Sequence, residues 1–340
     1  MNRSRLLGIA LVVLSAVSFG SGGLFARPAY AAGIDWLTLM AWRFLIAGGC
    51  GWLLVVFSPA ARRSLRHLTR RQVLGSMFLG LWYVSNTAAY YAGITTTPLS
   101  LAALIVYIYP PVVAVLALFF GRPLEGRRAW FALGIAVAGV VLSVGSIDTA
   151  SMPPLAGLVA VIVAPLFYSV WIILAARLAG EQSDRTGAEV EGSADSSVTG
   201  AIILSTTGAI YWTWALSTGH PVLPAEIPRG AWPGILGVGV IAGFLATQGF
   251  YAGAQRIGAA QAALLSTVEP LWTIVAAYLV LGEVLSPLQL VGGALILAGV
   301  ILSQTGSRGG AGADAGGGGG EGGGSSRSAL PQPVVHLSEE

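Results

Sequence analysis

Long apolar runs, each about the length of a membrane span, alternate with short polar connections along most of the chain. A helix that crosses a bilayer needs about 20 apolar residues. The pattern therefore predicts an all-α integral membrane protein with ten transmembrane helices. These are expected at Leu6–Ala26, Trp36–Phe57, Val73–Ile94, Leu99–Phe120, Ala129–Gly145, Leu155–Leu178, Val198–Ser217, Trp232–Gly253, Ala259–Leu281 and Pro287–Ser303.

The composition agrees with this prediction. Of 340 residues, 55% are hydrophobic and 10% are charged, and the mean hydropathy is +0.76, whereas soluble domains have roughly 25% charged residues. This leaves no room for a large soluble domain. The first apolar run follows Arg3 and Arg5 as in a signal peptide, but without an A-x-A site we interpret it as an uncleaved first helix and leave cleavage as the alternative.

Arginine supplies every basic side chain, as is typical of a GC-rich bacterial genome, and it concentrates in connections that would share one side of the membrane. These residues are Arg3, Arg5, Arg62, Arg63, Arg66, Arg70, Arg71, Arg122, Arg127, Arg128, Arg177, Arg185 and Arg256. The other side holds only Arg27 and Arg229. By the positive-inside rule both termini are cytoplasmic, and the expected location is the bacterial inner membrane.

The chain repeats itself when it is shifted by 160 residues. Tyr91 then falls on Tyr251, Pro110 on Pro270, and the run AGVVLS from Ala138 on AGVILS. The expected domains are a first five-helix repeat at 1–148, a second at 149–304 and a disordered Gly-rich cytoplasmic tail at 305–340. An odd number of helices places the second copy upside down in the membrane, as in transporters that work by alternating access.

The segment 258–303 contains small residues, a midhelix Glu-Pro, a Gly-Glu pair and a glycine-rich last helix. It resembles the end of an EamA repeat of the drug/metabolite transporter superfamily, and segment 18–49, with its Arg43, resembles the start of one. The likeness extends from about Leu6 to Ser303. One position departs from the pattern: Pro123 matches Glu283, and Glu125 follows two residues later.

The resemblance implies a secondary transporter of a small metabolite, amino acid-like and neutral or monoanionic, which we expect to be exported by alternating access. The alternatives are an efflux carrier of drugs or other organic compounds, a passive channel, and a membrane protein that transports nothing. The expected partners are the substrate and the lipid bilayer, without nucleic acid, and the oligomeric state stays open, a monomer included.

No enzymatic site is expected. A single cysteine, Cys50, allows no intrachain disulfide, and the three histidines fall in connecting or tail segments, so their spacing fits neither a metal site nor a catalytic triad. We predict no cofactor and no metal. A membrane-embedded enzyme would need a polar constellation at the interface, and the connections contain none.

Two charged residues in the predicted spans are candidates for substrate binding or coupling. Glu269 precedes Pro270, and its counterpart in the first repeat is Tyr109, followed by Pro110. A charge at the bilayer centre costs about 2.5–3.5 kcal/mol and a proline removes a backbone hydrogen bond. Glu269 is therefore either held by bonds within the bundle or in contact with substrate or proton, and both prolines are predicted helix kinks.

Arg43 is the only basic residue deep in a predicted span. We expect it to pair with Glu269 in one access state or to face a substrate carboxylate, with snorkelling to the interface as the alternative. Further candidates follow from polar and aromatic residues that share helix faces. They are Tyr83, Asn86 and Tyr90; Gln248 with Tyr251 and Gln255; Tyr168 and Trp171; and Ser266 and Thr273 beside Glu269.

Overall fold

The computed structural model describes residues 3–119, 126–145, 152–178, 196–257, 262 and 265–305. Within these residues every regular element is a helix and there is no strand. The predicted Gly-rich tail, the acidic connection at 179–195 and the pair Pro123 and Glu125 lie outside the described residues.

The helices follow the apolar runs in order. In the first repeat they are α1 (Arg3–Gly20), α2 (Gly22–Ala31), α3 (Trp36–Phe57), α4 (Pro59–Arg66), α5 (Arg70–Gly93), α6 (Leu99–Val106), α7 (Tyr109–Phe119) and α8 (Gly126–Gly145). In the second they are α9 (Leu155–Leu178), α10 (Ser196–Ser217), α11 (Trp232–Leu236), a π-helix (Gly237–Leu245), α12 (Ala246–Ile257), α13 (Val268–Leu281) and α14 (Pro287–Thr305).

The predicted all-α class is confirmed, and the structure adds interruptions that the apolar pattern did not predict. The first run is divided at Ser21, the fourth at Tyr107–Ile108, and the eighth contains the π-helix. By length and composition, four described segments can cross a membrane: Arg3–Ala31, Trp36–Phe57, Leu155–Ala175 and Arg229–Phe250. The count of ten transmembrane helices stays a prediction.

Helices that correspond in the two repeats pack against each other in opposite directions. On α3 and α10, the Trp212 indole N–H donates to the Ala41 carbonyl at 3.0 Å, and the Trp52 indole N–H donates to Ser205 Oγ at 2.8 Å. The chain therefore ascends one helix as it descends the other. The contacts between α8 and α14 run the same way, since Gly139 faces Gly292 whereas Ala132 faces Gly299.

Many large apolar side chains point outward from the bundle. Among those at least half exposed are Leu14, Leu53, Phe57, Leu81, Phe119, Phe131, Val141, Leu155, Leu279 and Val280. Soluble monomers seldom expose contiguous apolar surface on this scale. This outer surface has the chemistry of a lipid-facing belt, and the buried interior is where the charged candidates lie.

Glycine allows α8 and α14 to approach closely. A Cβ on Gly139 would lie 2.5 Å from the Gly292 carbonyl oxygen and 2.9 Å from the backbone nitrogen of Ile296. Both neighbours are backbone atoms, so neither can turn away as a side chain could. A Cβ on Gly134, at the exposed side of the same helix, would have no neighbouring atom within 4 Å.

We expect Gly139→Ala to destabilise the fold by about 1–3 kcal/mol, because the added methyl group forces α8 and α14 apart. Gly134→Ala is the matched control and should be neutral or slightly stabilising, since alanine favours a helix by up to about 1 kcal/mol over glycine. Thermal unfolding of both variants in detergent measures the difference. Equal midpoints would contradict this account of the contact.

Candidate functional site

Glu269 lies at the point where a helix break of one repeat meets a helix break of the other. It is the second residue of α13, directly after the turn at Ser266–Thr267, and it faces Tyr107 at the break between α6 and α7. The Tyr107 hydroxyl lies 2.5 Å from the Ser266 carbonyl oxygen and 3.1 Å from Glu269 Oε2. This buried tyrosine is therefore what holds the carboxyl group and the broken helix end together.

A chain of aromatic contacts leads away from Glu269, and we call it the aromatic wall. It consists of Tyr107, Tyr109, Tyr168, Trp171 and Tyr83, whose successive ring centroids are 5.6, 4.9, 6.0 and 5.3 Å apart. The wall takes rings from the α6–α7 break, α7, α9 and α5 and so crosses from one repeat to the other. Ring faces and edges of this kind suit apolar or cationic groups.

The far end of the aromatic wall leads to Arg43. The Tyr83 ring lies 5.8 Å from Phe44, and the Arg43 guanidinium carbon lies 5.2 Å from the Phe44 centroid and 4.7 Å from that of Tyr91. Arg43 is only 5% exposed. It lies seven residues of α3, about 10 Å of helix, from the nearer helix end at Trp36.

Arg43 has no anionic partner in the part of the chain that the structure describes. Its Nε is buried without a hydrogen bond, and no carboxylate lies within ion-pair distance of the guanidinium. Two aromatic faces contribute about 0.5–2 kcal/mol each as cation–π contacts, which falls short of the cost of burying a charge. The guanidinium is thus suited to bind an anion from outside the protein.

At one end of the bundle Glu283 joins three helices, in an arrangement that we call the latch. Its carboxylate accepts the Leu99 N–H at 3.0 Å and the Ser100 N–H and hydroxyl, each at 2.8 Å, and it lies 3.7 Å from Arg27. Arg27 also donates to the Thr97 carbonyl at 2.6 Å. A carboxylate on unpaired N–H groups at the start of α6 is favoured by hydrogen bonding and by the helix dipole.

Both repeats match one family of known proteins. The sequence profile of the EamA-like transporter family matches residues 6–145 and 155–305, one match for each repeat. The chain belongs to this family. This confirms the resemblance and the two-repeat organisation seen in the sequence, and it makes the protein a transporter of the drug/metabolite transporter type.

Two individual proteins show the same likeness. An uncharacterized transporter of Archaeoglobus fulgidus is 27% identical over 296 residues, which cover 87% of this chain and 96% of that protein. A protein of known crystal structure is similar in fold, with a TM-score of 0.59 over 88% of this chain and 96% of its own, at 18% identity. At that identity the structural likeness concerns the fold alone.

In this EamA-family chain the residues predicted from the sequence lie in different settings. Glu269, Tyr83, Tyr168 and Trp171 lie along the aromatic wall, and Arg43 lies beyond its end. Asn86 instead donates to the Ala164 carbonyl at 2.9 Å, which joins α5 to α9.

The other predicted residues lie as follows. The Tyr90 ring contacts Tyr91 at 5.2 Å, and Gln248 lies on α12, half-buried. Pro110 and Pro270 are the second and third residues of α7 and α13. The side chains of Tyr251 and Gln255 lie outside the described part of the chain.

Three residues of the site were not among the predicted candidates. Tyr107 is read in sequence as one more aromatic of an apolar run, and only the fold brings it to Ser266 and Glu269, 159 and 162 residues away. Arg27 and Glu283 are even farther apart in the chain, because 256 positions separate them (283 − 27). The internal repeat could have drawn attention to Tyr107. Glu269 corresponds to Tyr109 at a shift of 160 residues, and Tyr107 lies two residues before Tyr109.

We expect Glu283→Ala to loosen the latch end, because α6 loses its cap and Arg27 loses its carboxylate. Losing a helix cap together with partly exposed charged hydrogen bonds lowers the free energy of unfolding by about 1–3 kcal/mol. Amide hydrogen exchange should accelerate at Leu99 and Ser100. Glu226→Ala is the control, since Glu226 accepts only the nearby Leu223 N–H at the surface; unchanged exchange in both variants would contradict the latch.

A second contact at the same end joins α3 to the connection after α10. Asp35 caps α3 by accepting the N–H groups of Leu37 and Thr38 at 2.8 and 3.0 Å, and His220 Nδ1 lies 3.1 Å from its carboxylate. Partial burial opposes ionisation, but the hydrogen bonds from Thr38 and His220 outweigh it and lower the pKa of Asp35. A lowered carboxyl pKa stabilises the fold above the unfolded value of about 3.9, and this contribution disappears as the pH falls through the folded value.

Asp35→Asn should remove this acid dependence while keeping the helix cap, because asparagine caps as well as aspartate. The wild type is then expected to lose more stability than the variant as the pH falls below about 4. Denaturation in detergent across acidic pH measures this. Parallel pH profiles for the two proteins would exclude Asp35 as the source.

Proposed function

We propose that the protein is a secondary transporter that exports an amino acid-like metabolite across the bacterial inner membrane by alternating access, with both termini in the cytoplasm. The observation that carries the proposal is the buried Arg43 guanidinium, which has no anionic partner among the described residues. Membership of the family supports transport as the activity, and the chemistry of the site residues supports the proposed substrate class.

A substrate carboxylate is the anion that best fits Arg43. A guanidinium donates two parallel hydrogen bonds to a carboxylate, and such charged bonds are worth about 1.5–3 kcal/mol each. With one arginine present, the site is poorly suited to a substrate that carries several phosphates. A monoanionic head group therefore matches the charge that the site can neutralise.

Glu269 and the aromatic wall fit the remainder of such a substrate. The carboxyl group at one end of the wall can accept hydrogen bonds from an ammonium group, and the rings can cover an apolar side chain. Glu269 lies 12 residues from the end of α13 at Leu281, about 18 Å of helix. Arg43 is about 10 Å from its own helix end, so the two groups differ in depth by one to two turns.

Alternating access is supported by the antiparallel packing of corresponding helices and by the helix breaks that meet at Tyr107. Inverted repeats of this kind place substrate sites near the midplane, beside discontinuous helices. The latch joins helices at one end of the bundle, and the position that corresponds to Glu283 in the first repeat is Pro123, with Glu125 two residues later. The sequence contains no lysine and hence no P-loop lysine, so an ion gradient is the proposed energy source.

A carrier of organic cations is the second candidate, because a carboxyl group beside aromatic rings also suits an amine without a carboxylate. The two candidates differ in their need for Arg43. A passive channel would show neither saturation nor accumulation against a gradient.

Arg43→Gln should reduce uptake of a zwitterionic amino acid into proteoliposomes by roughly tenfold or more, since 1.4 kcal/mol is a factor of ten. The assay uses a panel of radiolabelled amino acids together with matching amines that lack the carboxylate. Arg229→Gln, at an exposed position, is the matched control and should behave as the wild type.

Three results would count against this assignment. Equal uptake by Arg43→Gln and wild type would exclude Arg43 as the carboxylate site. Preferential uptake of the amines would favour the organic-cation carrier, and wild-type vesicles that take up none of the panel would refute the substrate class.

A further inference from the structure

The hydrogen bonds around Tyr107 constrain where protons lie. A tyrosine hydroxyl has one proton to donate and can also accept. The Ser266 carbonyl can only accept, and at 2.5 Å from the hydroxyl it is the nearer of the two oxygens. The Tyr107 proton is therefore directed to Ser266, and the 3.1 Å contact with Glu269 Oε2 needs a proton from another source.

That source is the Glu269 carboxyl group itself. If Glu269 were ionised, its oxygen and the Tyr107 oxygen would face each other with no proton between them. If Glu269 is protonated, its O–H donates to Tyr107 Oη and Tyr107 donates to Ser266, so each of the two hydroxyl protons has an acceptor. Buried polar groups in proteins are nearly always paired in this way.

The charges around Glu269 also favour its neutral form. No arginine lies within ion-pair distance of it in the described residues. The titratable groups that interact electrostatically with it are tyrosines of α5, of α7 and of the α6–α7 break, and α1 faces it with Gly20. These tyrosines are Tyr83, Tyr90, Tyr91, Tyr107 and Tyr109. An ionised carboxylate in such a site would be costly.

We infer that Glu269 is the proton-binding site of the transporter and that the hydrogen bond of Tyr107 to the α13 break depends on whether Glu269 is protonated. In this structure the carboxyl group carries the proton. When the proton leaves to water in the cavity, the carboxylate becomes the stronger acceptor, and the Tyr107 hydroxyl turns from the Ser266 carbonyl to Glu269 while keeping its own proton. The inference rests on the proposed transport function and names its coupling ion.

This rotation of the Tyr107 hydroxyl changes how tightly the two repeats are held together. The Tyr107–Ser266 bond joins the α6–α7 break of one repeat to the turn before α13 of the other. The Ser266 carbonyl also accepts the Glu269 backbone N–H at 3.0 Å and keeps that partner when the Tyr107 bond is lost. Deprotonation therefore removes the side-chain link between the two repeats and leaves α13 less tightly held against the α6–α7 break, and proton binding restores the link.

Infrared difference spectroscopy on the full chain in lipid nanodiscs tests the proton site with protons alone as the probe. At neutral pH, where exposed carboxyl groups are ionised, the wild type should show a protonated-carboxyl band that disappears on alkalinisation. Glu269→Gln should lack this band, and the surface control Glu226→Gln should retain it. Tyr107→Phe should retain the band at a shifted frequency, because the carboxyl group loses its acceptor.

The outcomes separate this inference from the proposed function. A neutral-pH spectrum without a Glu269-dependent band would overturn the proton site, even if the vesicles take up amino acids. A band that is present in wild type and Glu226→Gln and absent from Glu269→Gln supports the proton site, even if the panel of amino acids shows no uptake. A band that is identical in Tyr107→Phe and wild type would overturn the link to the α13 break.

Discussion

The contact between the Tyr107 hydroxyl and the Ser266 carbonyl is the interaction on which the centre of this protein depends. Interrupting a helix inside a bilayer frees backbone groups that no water can satisfy, and each such group costs several kcal/mol if it stays unpaired. Two interruptions in one region would be costly in isolation. Because they face each other, the Tyr107 hydroxyl at one break adds a second donor to the Ser266 carbonyl at the other, which also accepts the Glu269 N–H at 3.0 Å.

The same requirement is met elsewhere around the breaks by small hydroxyl side chains. Ser169 Oγ on α9 lies 2.7 Å from the Pro165 carbonyl of its own helix and 3.2 Å from the Tyr109 carbonyl of α7. Thr273 Oγ1 on α13 lies 3.0 Å from the Glu269 carbonyl and 3.1 Å from the Gly20 carbonyl of α1. These contacts leave the aromatic and charged side chains free to line the interior. The polar interior thus follows from how the backbone is satisfied, and the candidate site is built on positions that the breaks expose.

The two repeats match the same family and differ at the two positions that carry the carboxyl groups of the site. Glu269 corresponds to Tyr109, and Glu283 corresponds to Pro123. The first difference puts a titratable carboxyl group in the second repeat where the first has a tyrosine, and the second puts the latch carboxylate where the first repeat has a proline. These two substitutions make the contacts of the second repeat chemically different from those of the first.

The apolar pattern was sufficient to locate the helical runs and the repeat, although not the interruptions within the runs, because runs and repeat depend on features that are local or periodic. Apolar runs identified helices such as α3 and α9 to the residue, and identical residues at a fixed shift identified the two halves. The latch and the Tyr107 contact could not be predicted in this way. The Tyr107–Ser266 contact joins residues 159 positions apart, and the contacts of Glu283 with Leu99 and Arg27 span 184 and 256 positions. Nothing in the local pattern distinguishes a tyrosine that bonds to a distant carbonyl from one at the membrane interface.

The separation of Arg43 from Glu269 follows from the aromatic wall between them. Had the two side chains met, each would have neutralised the other, and a buried ion pair would have been a structural feature with little affinity left for a ligand. Rings in edge-to-face, tilted and stacked contacts lie between the two groups and keep a cation and a carboxyl group at opposite ends of one surface. A molecule that carries both an anionic and a cationic group can bind the Arg43 guanidinium and the Glu269 carboxyl group together, whereas a molecule with one charged group leaves one of them without a ligand.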